Sequence, residues 1–503
     1  MKNTWTYRIL LALLIYASQL LAKEKPNVLF IAIDDLNDWI SPLDHHPSIR
    51  TPNLERLAER SMTFTRANCA APACHPSRVA VMTGVHPVRS GIYRNLFNAH
   101  GPRWRDESPL LADAVVLSRH FMNHGYRAAG GGKIFHTLQW SAGDSQNDPE
   151  AWDDYRGDPL DPISSDWPRP VITPDPKAGL GPGRPLGGAH YFGAAPLEVP
   201  DEQTGDHRVT DWAIEQMSRP PERPVFLAVG LFRPHIPWEV PSKWFDLFDG
   251  EKVRLPEHRA DDLEDAFDHG RTSWHRWVVE NKQWRSFVRG YLASVAYVDA
   301  QVGRLLDALD ASPMKDNTIV VLWSDHGFHL GEKANWEKFG LWDQTTRVPL
   351  FISVPELPGG RRCAKPVSLV DLYPTLCDLA GLPIPTQCTG HSMVPQLRDP
   401  LAPVERPAVV SYVFLRNDNP QRHPSHAVVG ERYRYIRYHD GFEELYDLQD
   451  DPHEFANRVQ DEALAEVKAR LIGHLPSEAA PDRVVPKTSR WNGRPKILQP
   501  QKR

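Results

Sequence analysis

Four short apolar runs constrain this chain more than any other feature. They span residues 27–33, 224–230, 318–323 and 348–354. None alternates polar with apolar side chains. A strand with one face in water alternates, so an unbroken run means that both faces are covered. Helical patterns lie between the runs. One covers 113–123 and is closed by Gly125; another covers 284–309, with Tyr291, Val295, Val298 and Val302 along one side. Strands alternating with helices predict an α/β fold, a large central sheet sandwiched between helices. Sheets of this kind bind ligands beyond the carboxyl ends of their strands. The residues that follow each run are therefore where chemistry is expected.

The rest of the chain organises around that core. Residues 1–22 open with Lys2 and Arg8, continue through an apolar stretch and close at Ala22, which reads as a secretory signal peptide. Tyr16, Ser18 and Gln19 interrupt the stretch, and a membrane span needs about 20 apolar residues. The expectation is an exported protein without stable membrane insertion, in a periplasmic, secreted or lysosome-like compartment. Residues 23–400 form the main domain. Within it, 137–207 is rich in Pro, Gly, Asp and Ser and reads as an irregular surface segment that helps wall a cleft. Strand patterns at 408–415, 427–429 and 433–438 and a helical pattern at 462–475 predict a smaller C-terminal domain over 401–486, with an antiparallel sheet and a helix. The tail, 487–503, has basic but no acidic residues and reads as solvated. With 58 Lys and Arg against 64 Asp and Glu, the chain lacks the basic excess of a nucleic-acid binder. Five cysteines are too few for a disulfide framework. Cys377 and Cys388 either pair or remain two buried thiols.

Three clusters carry chemistry. The first apolar run ends in Asp34-Asp35. Adjacent carboxylates repel and call for a cation, unless they only cap a turn. The third run ends in Ser324-Asp325-His326-Gly327. Neighbouring strands would bring Asp34, Asp35 and Asp325 together as hard oxygen ligands for Ca²⁺ or Mg²⁺. The third cluster is Cys74-His75-Pro76-Ser77-Arg78, followed by Thr83-Gly84. Its proline can start a helix and its glycine can end one. Cys74 and Ser77 would then sit at an anion-favouring helix N-terminus, with Arg78 as a fixed positive fork. Cys74 reads either as a low-pKa thiol or as a half-buried structural cysteine.

The Cys-x-Pro-Ser-Arg run resembles the maturation signature of the type I sulfatases of the alkaline-phosphatase superfamily. The resemblance continues through Lys25-Pro26-Asn27-Val28, Gly132-Lys133-Ile134-Phe135-His136, Val370-Asp371-Leu372-Tyr373-Pro374-Thr375 and Glu444-Leu445-Tyr446-Asp447-Leu448 with Asp451-Pro452. Pro234-His235-Ile236-Pro237 and residues 291–309 are most similar to iduronate-2-sulfatases. The resemblance implies an alkaline-phosphatase-like sandwich with a mixed sheet. It implies that a formylglycine-generating maturation enzyme oxidises Cys74, and that the hydrated aldehyde attacks the sulfate. Asp34, Asp35, Asp325 and His326, together with residue 74, match the surroundings of one Ca²⁺. Arg78 matches the partner that stabilises formylglycine. Lys133 and His136 match groups beside the diol and sulfate, His235 a histidine facing the leaving group, and Lys338 a second sulfate-binding lysine. The implied substrate is a sulfated carbohydrate, with the 2-O-sulfate of a uronic acid favoured over choline or other carbohydrate sulfates. A phosphatase or phosphodiesterase of the same superfamily and a silent carbohydrate-binding homologue are the other readings.

Overall fold

The computed structural model describes residues 25–43, 46–95, 104–136, 148–156, 193–269, 272–416 and 418–483. The expected leader at 1–22, the tail at 487–503 and most of 137–207 lie outside the described residues.

The central sheet has eight strands: β1 (Asn27–Ile33), β2 (Met62–Phe64), β3 (Arg127–Gly132), β4 (Asp154–Arg156), β5 (Val225–Leu231), β6 (Thr318–Ser324), β7 (Leu350–Ser353) and β8 (Arg361–Cys363). Their spatial order is β8-β2-β7-β6-β1-β5-β3-β4. From β6 to β4 every pairing is parallel, whereas β7 runs antiparallel to both β6 and β2, so the sheet is mixed as expected. All seven residues of β1, β5 and β6 are buried. Successive side chains of a strand point to opposite faces, and here both faces are core. Phe30, Phe226 and Trp323 pack on one side with α1 (Cys74–Thr83) and α2 (Leu117–Asn123). Leu29, Ile31, Leu227 and Leu322 pack on the other with α3 (Gly205–Met217) and α4 (Trp284–Asp310). Tyr291, Val295, Val298 and Val302 of α4 are buried there.

Several expectations change in detail. The helix expected from Asp113 begins at Leu117, and a 3₁₀ turn at Pro109–Leu111 precedes it. The segment expected to be irregular includes β4, which adds to the sheet edge, and the start of α3. All five cysteines are free thiols, so Cys377 and Cys388 do not pair. The C-terminal part is an antiparallel sheet of β9 (Ala408–Tyr412), β10 (Ser425–Val429), β11 (Tyr433–Arg437) and β12 (Glu443–Asp447), with helix α5 (Ala465–Ile472). The pattern at 462–475 is shorter as an α-helix because a 3₁₀ turn, Glu462–Leu464, starts it. Val410, Ala427 and Ile436 of this sheet join the core on the Phe30 side of the main sheet. Val428, Tyr435 and Leu445 face Leu471 of α5. Among the described residues, no helix is long and apolar enough to cross a membrane.

Candidate active site

Register places the chemistry. Ile33 stands opposite both Leu231 and Ser324, and Gly132 stands opposite Gly230. The residues leaving these strands therefore emerge at one edge: Asp34 and Asp35 from β1, Asp325 and His326 from β6, Lys133 from β3, and the turn carrying His235 from β5. Main-chain bonds continue past the strand ends. Asp34 N–H donates to Leu231 O at 3.1 Å, Asp325 N–H to Ile33 O at 3.2 Å and Lys133 N–H to Gly230 O at 3.0 Å. Asp35 turns in the left-handed region, φ 61°. Tyr291 of α4 clamps that turn, its hydroxyl donating to Asp35 O at 2.9 Å and accepting from Asn37 N–H at 2.8 Å.

α1 delivers Cys74, Ser77 and Arg78 to the same edge. It starts after extended Ala73 and ends at Gly84, φ +69°. Cys74 Sγ lies 3.0 Å from Lys338 Nζ, 3.2 Å from His326 Nε2 and 4.0 Å from Asp35 Oδ1. Ser77 Oγ donates to Asp325 O at 2.5 Å. Arg78 is fully buried. It donates through Nε to Asp325 Oδ2 at 2.7 Å, through one terminal nitrogen to Asp34 Oδ1 at 3.2 Å, and through the other to Lys133 O and to Ile134 O at 3.1 Å. Lys133 pairs with Asp34, and Lys338 with Asp35 at 2.7 Å. His235 Nε2 lies 3.9 Å from Asp35 Oδ2, and its Nδ1–H donates to Ile236 O at 2.6 Å. His136 is buried, its ring 6.1 Å from that of His75. All eleven residues singled out in the sequence, Ser77 included, thus lie at the strand-end edge.

Electrostatics distinguishes these groups. Burial pushes Asp34 up, but the charges of Lys133, His235 and Arg78 outweigh it and hold the carboxyl well below its ordinary value. Burial pushes Asp35 up to about 7, with Lys338 opposing and Asp34 adding to the rise. Burial and the neighbouring Lys133 charge hold His136 well below its ordinary value, so it is neutral. Cys74 corrects both of its sequence readings. It is fully buried rather than half-buried, and burial raises its thiol pKa despite Lys133 and Lys338.

The donor set fits a divalent cation. Asp34, Asp35 and Asp325 are fully buried, and Asp35 Oδ2 has no hydrogen-bond partner among the described residues. Ligand atoms of Asp34, Cys74, Asp325 and His326 all lie within 4.8 Å of one another, as do those of Asp34, Asp35, Cys74 and His235. A cup of buried carboxylates suits a hard ion.

A family model described as Sulfatase matches residues 26–382. The chain belongs to the sulfatase family. It is therefore a sulfuric ester hydrolase, of a family whose general mechanism is of the formylglycine type. A second model, N-sulphoglucosamine sulphohydrolase, C-terminal, matches residues 331–480. A sulfatase of Formosa agariphila is 37% identical over 448 residues, covering 87% of this chain and 83% of that protein. Iduronate 2-sulfatase of Mus musculus is 31% identical over 413 residues, covering 73% of this chain and 71% of that protein. A solved structure in complex with D-glucosamine-2-N,6-O-disulfate superposes with TM-score 0.65 at 19% identity, covering 90% and 96% of the two chains.

Some supports of this sulfatase site play parts that their motifs do not announce. Tyr291, Ser77 and Ser324 hold main chain around the carboxylates, and Ser324 Oγ accepts from Leu36 N–H at 3.0 Å. The segment bearing Lys338 contains four non-glycine residues at positive φ: Lys333, Ala334, Glu337 and Phe339. The C-terminal sheet fastens its continuation. Arg434 of β11 donates to Leu341 O at 2.9 Å and Thr346 Oγ1 at 2.7 Å and pairs with Asp343 and Glu454. Glu444 of β12 accepts from Trp342 Nε1 at 2.8 Å.

Proposed function

We propose that this sulfatase removes the 2-O-sulfate of uronic acid residues from a sulfated polysaccharide or its oligosaccharides. It uses formylglycine made from Cys74 by a maturation enzyme, and one calcium ion. The observation that carries the reading is the convergence on Cys74 Sγ of Lys338, His326 and the carboxylate cup. The likeness to an iduronate 2-sulfatase over most of both chains supports the substrate. Export by the leader at 1–22 accords with a polysaccharide substrate.

In the matured enzyme, residue 74 supplies a nucleophilic oxygen and a second hydroxyl, and calcium held by Asp34, Asp35, Asp325 and His326 supplies Lewis acidity. Arg78 aims the cup rather than the substrate, because its nitrogens are taken up by Asp325, Asp34 and two main-chain carbonyls. Lys133 and Lys338 are the cations available to the sulfuryl oxygens, and losing one such donor costs about 10²–10³ in rate. Charge supports this division. Three carboxylates face Arg78, Lys133 and Lys338, so the protein groups are balanced. A divalent ion held there would add the positive charge that an anionic sulfate ester meets. His235 directs Nε2 at the cup because Nδ1–H is committed to Ile236 O. A proton carried on that Nε2 would pass to the departing sugar oxygen, a contribution of about 10²–10⁴. Neutral His136 accepts the proton of the second hydroxyl.

Two measurements test the reading. Mass spectrometry of the residue-74 peptide, from protein made in its own host, should show the aldehyde; an intact thiol would defeat the formylglycine assignment. Products from defined oligosaccharides should show release of uronate 2-O-sulfate. Release of only 6-O- or N-sulfate would defeat the substrate assignment while leaving the chemistry intact.

A further inference from the structure

One carboxylate outside the cup governs the turn that carries His235. Asp206 lies in the first turn of α3 and is 3% exposed. Both of its oxygens are engaged by that turn. Oδ1 accepts from Phe232 N–H at 2.7 Å, and Oδ2 from Arg233 N–H at 2.9 Å. The turn then closes on itself. His235 N–H donates to Phe232 O at 3.0 Å. The buried Arg233 guanidinium donates to His235 O at 2.9 Å and Glu239 O at 3.0 Å. The Phe232 ring centre lies 4.6 Å from that of His235 and 5.2 Å from Lys133 Nζ.

Burying a carboxylate is costly, and burial pushes Asp206 up to about 6 even though two N–H groups stabilise its charge. The N-terminal end of α3 lowers that cost, since anionic groups are favoured there. The result is a rigid bridge from a long helix to two consecutive N–H groups at the mouth of β5. A peptide turn left to water would hold the same N–H groups without fixing their position.

We propose that Asp206 is the positioning residue of the leaving-group acid: it fixes Phe232 and Arg233 and thereby aims His235 Nε2 at the departing oxygen. This rests on the role of His235 given above. The same anchor sets the Phe232 ring beside that of His235. A displacement near 1 Å at a catalytic group costs on the order of 10² in rate.

The test uses matured full-length enzyme and two esters: a 2-O-sulfated uronate disaccharide, whose leaving group needs a proton, and 4-nitrocatechol sulfate, whose leaving group does not. In Asp206→Ala, kcat on the disaccharide should fall about 10–100-fold and on the aryl ester less than about threefold, with KM little changed. Asp206→Asn keeps one acceptor oxygen and should lie between the wild type and Asp206→Ala. In a His235→Ala background either substitution should add less than about a twofold loss, because the two residues act through one proton. If Asp206→Ala does not fold, the same comparisons on Asp206→Asn decide. Equal losses on both esters, or full additivity with His235→Ala, would overturn the proposal. If His235→Ala itself loses equally on both esters, the acid assignment falls and this proposal falls with it. A selective His235→Ala beside an unselective Asp206→Asn removes the proposal alone.

Discussion

Gly132→Ala tests whether close strand approach places Lys133. Gly132 ends β3 at φ +79°, and a Cβ there would lie 1.9 Å from Gly230 O and 3.1 Å from Val209 Cγ1. The obstructing oxygen is main chain and already accepts from Lys133 N–H, so it cannot swing aside. A real Cβ keeps at least 3.0 Å from such an atom, which requires β3 and β5 to part by about 1.1 Å. The left-handed backbone costs an alanine about 1–2 kcal/mol, and forcing volume into a packed region costs about 1–3 kcal/mol more. The expected loss of stability is therefore about 2–5 kcal/mol, read from the urea midpoint. The shift falls on Lys133, whose side chain pairs with Asp34 and whose carbonyl accepts from Arg78. A displacement of that size should lower kcat on an aryl sulfate by about 10². Gly230→Ala should reproduce the effect from the opposite strand, because its Cβ would meet Lys133 main-chain atoms at 2.3 Å. A Gly132→Ala enzyme with wild-type midpoint and kcat would refute the reasoning.

Other perturbations address separate parts of the molecule. Cys74→Ala should abolish turnover while calcium binding, followed by calorimetry, remains; loss of binding as well would make residue 74 part of the cup. Chelation should abolish activity and lower Tm, with calcium restoring both, since ligand bound only to the folded state adds about 4 kcal/mol at 1,000 times its Kd; an unchanged Tm would count against a resident ion. Arg434→Met leaves buried Glu454 without its guanidinium partner, while Asp343 keeps Arg347 at 2.9 Å, and should cost about 3–5 kcal/mol. It should also lower kcat through the Lys338 segment, and wild-type kcat in a destabilised variant would separate the C-terminal sheet from catalysis. Burial lowers the pKa of His86 to about 4, its Nε2–H donating to Val409 O and its Nδ1 accepting from Val88 N–H. The folded value lies below the unfolded one, so stability is full above pH 6.5 and is lost as pH falls toward 4. Urea midpoints of His86→Gln should fall less across that window than those of the wild type; parallel curves would remove His86 from the acid response.

The sheet was legible where burial is two-sided. β1, β5 and β6 coincide with unbroken apolar runs, and α4 with a long one-sided pattern. β2, β4 and β8 have three residues each, too few to show periodicity. Gly130-Gly131-Gly132 invites a loop reading, yet it forms the end of β3, where Tyr155, Trp212 and Gly230 O leave no room for side chains. Asp206 sits in a stretch whose composition signals irregularity, and nothing local marks the turn it anchors, 26 residues away.

Sequence alone determined the chemical inventory, acidic residues at strand ends and a Cys-x-Pro-Ser-Arg helix start, while the lysines and histidines were marked by family resemblance. These are properties of neighbouring residues, and short-range chemistry is written in neighbours. Tertiary structure decided what each group does. Arg78 faces carboxylates and main-chain carbonyls, residue 74 lies fully buried beside Lys338 and His326, and Asp206, Tyr291 and Arg434 hold main chain of other elements. Those roles depend on sheet register and on which chain segments meet across it. Only packing of the whole chain sets those distances.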